Sequence, residues 1–306
     1  MIKMDEVIIR DTRLTEEEES LQMYQTQMDR FKIILRRLWR NKASVFGLSV
    51  VIFLVIVCTL APVLAAYDPI KINLGVRLKP PNLKHLLGTD QFGRDILTRL
   101  LYGGRLSLGV GIISVILGLI PGVLLGLASG FLRGRVDSAI MRGVDVMMAL
   151  PSILLALLIV TVLGPGLINT MIAVGIGGIP SMIRLVRGRV LSIRETEYVE
   201  AARSIGATDG RIMLKHILPN CAGSIIVVAT LRLPSAIIMA ASLSFIGLGA
   251  QAPTPEWGAM LASGRHFLTT SWWICTFPGL AIFLAVLGLN MFGDGLRDAL
   301  DPKLKD

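Results

Sequence analysis

Long runs without a charge decide what this chain can become. Ala43 to Tyr67, Leu106 to Leu132, Val146 to Ile183 and Trp273 to Phe292 contain no Asp, Glu, Lys or Arg, and Cys221 to Leu248 contains only Arg232. A helix needs about 20 mostly apolar residues to cross a bilayer, with every backbone polar group satisfied inside the segment. Gly164-Pro165-Gly166 divides the 146–183 run into two shorter spans that borrow Met141 to Asp145 and Arg184 to Arg187 at their ends. The sequence therefore predicts an all-α membrane protein of six transmembrane helices, over about 43–66, 105–131, 142–163, 167–187, 221–248 and 273–293. With 53% hydrophobic residues and a mean hydropathy of +0.67, a soluble enzyme is excluded.

An even number of spans puts both termini on one side, and the Lys/Arg distribution selects it. Arg30, Lys32, Arg36, Arg37, Arg40 and Lys42 precede the first span, and Arg133, Arg135 and Arg142 follow the second, whereas 164–166 holds no charge. The segment 67–104 keeps Lys71, Arg77, Lys79, Lys84, Arg94 and Arg99, so the asymmetry is imperfect. It still predicts cytoplasmic termini (1–42 and 295–306) and an extracytoplasmic loop at 67–104. The net charge of +9 then reports orientation and anionic lipid, and calls for no nucleic acid. Met1 to Gln27 is polar and reads as a mobile acidic tail without a cleavable signal. Phe31, Ile34, Leu35, Leu38 and Trp39 recur at helical spacing opposite basic residues, which fits an interfacial helix or a plain basic flank; either anchors the chain. Cys58, Cys221 and Cys275 show no paired spacing and read as buried apolar side chains.

One interlude, 188–220, is too charged for hydrocarbon: Arg189, Arg194, Glu195, Glu197, Asp209, Arg211 and Lys215 fall within it. Glu195 to Ile205 suits a short helix, Gly206 a turn at its C-terminus, and Thr208 or Asp209 the cap of a second helix that Pro219 ends. Two short helices hinged at a glycine make a knob that projects into water. Its residues carry a resemblance. Glu200-Ala201-Ala202, then Gly206, then His216 and Leu218-Pro219 at the expected intervals resemble the cytoplasmic coupling loop of permease subunits in binding-protein-dependent ABC importers, with His216 in a slot that is usually isoleucine. Gly88-Thr89-Asp90 followed by Gly93-Arg94-Asp95, and the ending Gly293-Asp294-Gly295-Leu296-Arg297-Asp298, resemble the peptide and nickel branch.

The resemblance implies a type I ABC importer transmembrane core at 105–294. Glu200, Ala201, Ala202, Gly206, Asp209, His216, Leu218 and Pro219 would couple to an ATPase. It further implies a bacterial or archaeal plasma membrane as the location, a second related permease, two ATPase subunits that carry the ATP and magnesium, and an extracytoplasmic substrate-binding protein. Cargo would be di- or oligopeptides, with nickel complexes or glutathione as the alternative. No cofactor or metal is expected on the chain itself: His85, His216 and His266 are scattered, and neither a phosphate-binding glycine loop nor a hydrolase motif occurs.

The remaining signals are structural. Gly118, Gly122, Gly126 and Gly130 repeat every four residues and predict a close-packed helix face. Pro121, Pro151, Pro180, Pro234 and Pro278 fall inside predicted spans. Asp90/Arg94 and Asp95/Arg99 are spaced as i,i+4 pairs on a helix capped at Thr89 or Asp90, so structural pairing is expected of these aspartates. Arg232, near the middle of the fifth span, needs water or a partner; it either lines the pathway or meets a carboxylate of the partner permease. A secondary transporter is the reading from a different class, although it would normally place several ionisable groups at mid-membrane.

Overall fold

The computed structural model describes residues 32–300, so the tail reading for Met1 to Gln27 and the place of Phe31 lie outside the described residues. A helix at 32–40 (α1) leads to Asn41, whose side chain accepts from the backbone N–H groups of Ala43 and Ser44 and so opens α2, Lys42–Thr59. A single turn, α3 (Ala61–Leu64), follows. The segment to Asp95 is irregular apart from a 3-10 turn at Leu74–Val76. Then come α4 (Ile96–Leu132), α5 (Gly134–Met148), α6 (Ser152–Leu163), α7 (Leu167–Arg194), α8 (Glu197–Ser204), α9 (Asp209–Phe245), α10 (Trp257–Gly264) and α11 (Trp273–Leu300).

Five of these are long and apolar enough to cross a membrane by themselves, and α5 with α6 passes only as a pair bent by 92°. This corrects the reading of a continuous helix at 142–163. Pro151 terminates it: the residue before a proline is pushed out of the α region, and Pro151 itself sits at ψ 138 as the N-cap of α6. The two pieces differ as their sequences demand. α6 is apolar all round, whereas α5 carries Arg135, Asp137, Arg142 and Asp145.

Helix packing follows the small residues. A Cβ placed on Gly118, Gly122, Gly126 or Gly130 would meet Gly175 O, Met182 Cβ, Val186 Cβ or Val190 Cβ at 2.6, 2.6, 2.7 and 2.7 Å, so α4 and α7 lie almost backbone to backbone. Between helices already in an apolar solvent, that proximity is what dispersion needs. α2 meets α11 the same way, Gly47 against Gly288 O, while α9 rests on α11, α4 and α7. Two apolar clusters close the bundle at opposite ends, one around Trp257, Trp273 and Ile96, the other around Phe131, Val190 and Ile217.

The segment before α4 is knotted by buried charge. Asp90 accepts from Arg94 Nε at 2.6 Å and from the backbone N–H groups of Phe92 and Arg94. The expected Asp95/Arg99 pair does not form. Asp95 is instead the N-cap of α4, accepting from Thr98 N at 2.8 Å and lying 3.0 Å from His85 Nδ1, so α4 starts after it and not at Thr89 or Asp90. Arg99 turns to Asp90, 3.7 Å away, and donates to Pro69 O and Pro253 O. Each of these charges is at least nine-tenths buried, and pairing plus carbonyl contacts is what makes such burial tolerable.

Candidate functional site

The polar interlude is built as a small projection on one end of the bundle. Thr196, in extended conformation, opens α8, whose first turn carries Glu197 and Glu200 and whose last carries Arg203, the order the helix dipole favours. Val199 and Ala202, three apart, point inward and are buried, while Glu200, Ala201, Arg203 and Ser204 face out. At the end of α8 the backbone N–H of Ala207 donates to Ala202 O and that of Gly206 to Arg203 O, both at 3.0 Å. With Gly206 at φ +85, this is a Schellman closure that a side chain resists.

Thr208 opens α9, and Asp209 lies exposed in its first turn. Here the structure corrects the sequence reading: Pro219 does not end the second helix but stands near the start of a long one. The six residues Ile212–Ile217 form a wide π turn, after which the helix runs on to Phe245. Pro219 has no N–H to donate and its ring crowds the carbonyl four residues earlier, so a widened turn just before it relieves a conflict that an ideal helix would suffer. Ile212 and Ile217, five apart, both fall on the buried side of that turn, and His216 is half-buried with its carbonyl accepting from Asn220 Nδ2. Leu218 is half-buried and Pro219 exposed.

The projection is fastened to the bundle twice. Val199, Ile212, Ile217 and Cys221 enter one apolar cluster with Leu127 and Phe131 of α4 and Met182, Val186 and Val190 of α7. The Phe131 ring has the guanidinium of Arg194 at 5.6 Å and that of Arg203 at 6.0 Å, while Arg194 also donates to Phe131 O. Arg133 pairs with Glu195 at the foot of the projection, and beneath it Asp137 of α5 ties the bundle helices together, taking a two-point contact from Arg187 of α7 at 2.6 and 2.7 Å plus the hydroxyl of Ser129 of α4. What remains outward is a tip. Ile205 is 86% exposed beside Gly206, and Leu214 is 61% exposed.

The sequence reading named Glu200, Ala201, Gly206 and Asp209, which share this outer surface, and Ala202, which proves buried. It passed over Ile205 and Phe131. An isoleucine immediately before a turn glycine in a charged run was the available signal for the first; the second has none, since its role depends on arginines more than sixty residues away. Arg232 lies far from the projection, half-buried between α4, α6 and α7, and among the described residues it forms no ion pair or hydrogen bond. Among the described residues no cluster of His, Cys, Asp and Glu could hold a metal.

Comparison with known proteins gives this geometry a family. Residues 122–306 match the model for the inner membrane component of binding-protein-dependent transport systems. Residues 30–81 match the N-terminal transmembrane domain of oligopeptide transport permease C. The chain is 49% identical over 282 residues to a protein named di/tripeptide transport system permease protein DppC from Pseudomonas aeruginosa, covering 89% of this chain and 93% of that one. It is 48% identical to one named glutathione transport system permease protein GsiD from Escherichia coli, covering 88% and 89%. A solved structure titled inward facing conformations of the MetNI methionine ABC transporter shares the fold at TM-score 0.55 and 21% identity, over 67% of this chain and 98% of that one. This chain belongs to the inner membrane components of binding-protein-dependent transport systems and is a multi-pass permease of the ABC importer class.

Proposed function

We propose that the chain forms half of a pathway for di- or oligopeptides and is driven by ATPase subunits that dock on the α8–α9 projection. The observation that carries the coupling is the projection itself: a short helix, a glycine closure and a second helix, fixed to α4 and α7 from inside and ending in exposed Ile205. An exposed apolar tip ringed by Glu200, Arg203 and Asp209 suits a groove on a soluble partner, since the apolar contact supplies affinity and the charges set register. On this reading the projection and both termini face the cytoplasm of a bacterial cell, ATP and magnesium sit on the ATPases, and a second related permease completes the pathway. A binding protein delivers cargo from outside. The relatives' printed names support the peptide class, and glutathione is itself a small peptide with free carboxylates.

The packing supports one route for a push from such a partner. A partner closing on the tip would move α8 and the start of α9 as one piece, because Val199 of α8 is packed in the same buried cluster as Ile212 and Ile217. The test is Glu200→Lys, which reverses an exposed charge and leaves the fold intact. ATPase subunits copurifying with the chain should fall several-fold, and uptake of labelled Ala-Ala should fall with them. Undiminished copurification and uptake together would remove the docking assignment.

A further inference from the structure

We propose that Arg232, Ser114 and the N-terminus of α6 form a binding site for a carboxylate inside the membrane part of the chain, a proposal that rests on the permease reading for its biological ligand. Arg232 and Ser152 both line two adjoining hollows, of about 200 and 190 Å³. No Asp or Glu lines either one. The guanidinium lies against α7 where a Cβ on Gly178 would come within 2.7 Å of Nη1, so glycine makes its seat. A cation without a partner at this depth is costly, and the cost is relieved only by water or an anion.

Two further features face the first hollow. Ser114 of α4 is 1% exposed, and its hydroxyl has no hydrogen-bond partner in the structure. A serine in a helix usually turns its hydroxyl back to its own backbone, as Ser49 and Ser242 do here; Ser114 does not. Buried polar atoms are nearly always satisfied, and an orphan donor lining the same hollow as an orphan cation calls for an acceptor-rich ligand. The second feature is the break at Pro151. The N–H groups of Ser152, Ile153 and Leu154 precede the first hydrogen bond of α6, from Leu155 N to Pro151 O at 3.0 Å, so the helix starts with free donors and the positive end of its dipole. α6 has 12 residues, and about 18 Å of helix reaches only partway through a hydrocarbon core about 30 Å thick. Its N-terminus therefore stops at depth, where half-helices present positive ends to anionic groups. Guanidinium, hydroxyl and helix N-terminus form a donor set without an acceptor, which a carboxylate fits and a cation does not.

The test places a reporter in the first hollow. Ser235 lines it, is exposed, and sits one helical turn from Arg232; Cys58, Cys221 and Cys275 are buried. In the full transporter in membranes, Ser235→Cys is labelled with an anionic and with a cationic methanethiosulfonate reagent of similar size. The anionic-to-cationic rate ratio should be about tenfold higher with Arg232 than with Arg232→Met, and Arg232→Lys should keep most of it. Ala-Ala at millimolar concentration should slow the labelling, its C-terminal amide should not, and Ser114→Ala should weaken that protection without reducing the amount of assembled complex. A ratio equal in Arg232 and Arg232→Met overturns the site. A ratio near one with Arg232 in place, accompanied by loss of assembled complex in Arg232→Met, also overturns it, and assigns the charge to a carboxylate of the second permease. The rate ratio needs no cargo, so a transporter that fails to import peptides refutes the peptide reading and leaves the anion site to be judged on labelling alone.

Discussion

Replacing Gly206 in a graded series isolates the turn that shapes the projection. Its φ of +85 is a left-handed conformation, and a Cβ added there would meet nothing within 4 Å, so no neighbour has to move and the whole cost is in the backbone. For an alanine that cost is about 1 kcal/mol, for a β-branched valine about 2 kcal/mol, and for asparagine about a few tenths. At about 1.4 kcal/mol per factor of ten, the closed turn loses up to about fivefold in population with Gly206→Ala and up to about thirtyfold with Gly206→Val, and retention of the ATPase subunits falls by the same factor. The assay is the molar ratio of ATPase to permease after purification from membranes at fixed detergent, with the amount of inserted permease measured alongside. Expected order is Gly, Asn, Ala, Val, with insertion constant throughout. Asparagine as damaging as valine would refute the reasoning, because it would show that side-chain volume and not backbone conformation sets the effect.

Gly122→Ala should lower the fraction of protein surviving a heat step, since its Cβ would sit 2.6 Å from Met182 Cβ, an overlap worth about 1–3 kcal/mol that outweighs the gain in helix propensity. Gly109→Ala in the same helix has open space around it and should be neutral or stabilising by up to about 1 kcal/mol, as read by the same heating assay. Asp137→Asn should cost about 1–3 kcal/mol by breaking the two-point contact with Arg187, and combining it with Arg187→Met should cost less than the two changes summed. Cysteines placed at Asn82 and Asp209 test orientation: an impermeant thiol reagent added to intact cells should label the first and spare the second.

Much of the projection was legible because its signals are local. Glycine at a helix end, Glu at a helix start and a charged run between apolar ones each have one physical reading. Pro219 misled because a proline closes one helix or stands near the opening of another, and the π turn that reconciles it with a continuous helix leaves no mark in composition. The break at Pro151 was hidden inside a charge-free run, although Arg135, Asp137, Arg142 and Asp145 before it already described an amphipathic helix unlike the apolar one that follows. Asp95 illustrates a different limit. Its spacing from Arg99 allows a pair only if both are inside the helix, and once Asp95 serves as the cap its carboxylate faces the backbone. The surroundings of Arg232 were beyond sequence reasoning altogether, because Ser114, Ser152 and Gly178 reach it from three other helices.

The unbroken course of α9 from Asp209 to Phe245 joins the exposed projection to Arg232 through one helix. On the proposed function it would act as a lever with the π turn as fulcrum, a short arm carrying Asp209 and a long arm carrying Arg232. From Ile217 to Arg232 the long arm measures about 22 Å, so a tilt of about 5° at the fulcrum swings the Arg232 backbone by about 2 Å. A shift of that size would lift the guanidinium off α7, where a Cβ on Gly178 would lie only 2.7 Å from Nη1, so a small rotation at the projection would be enough to seat or unseat the charge.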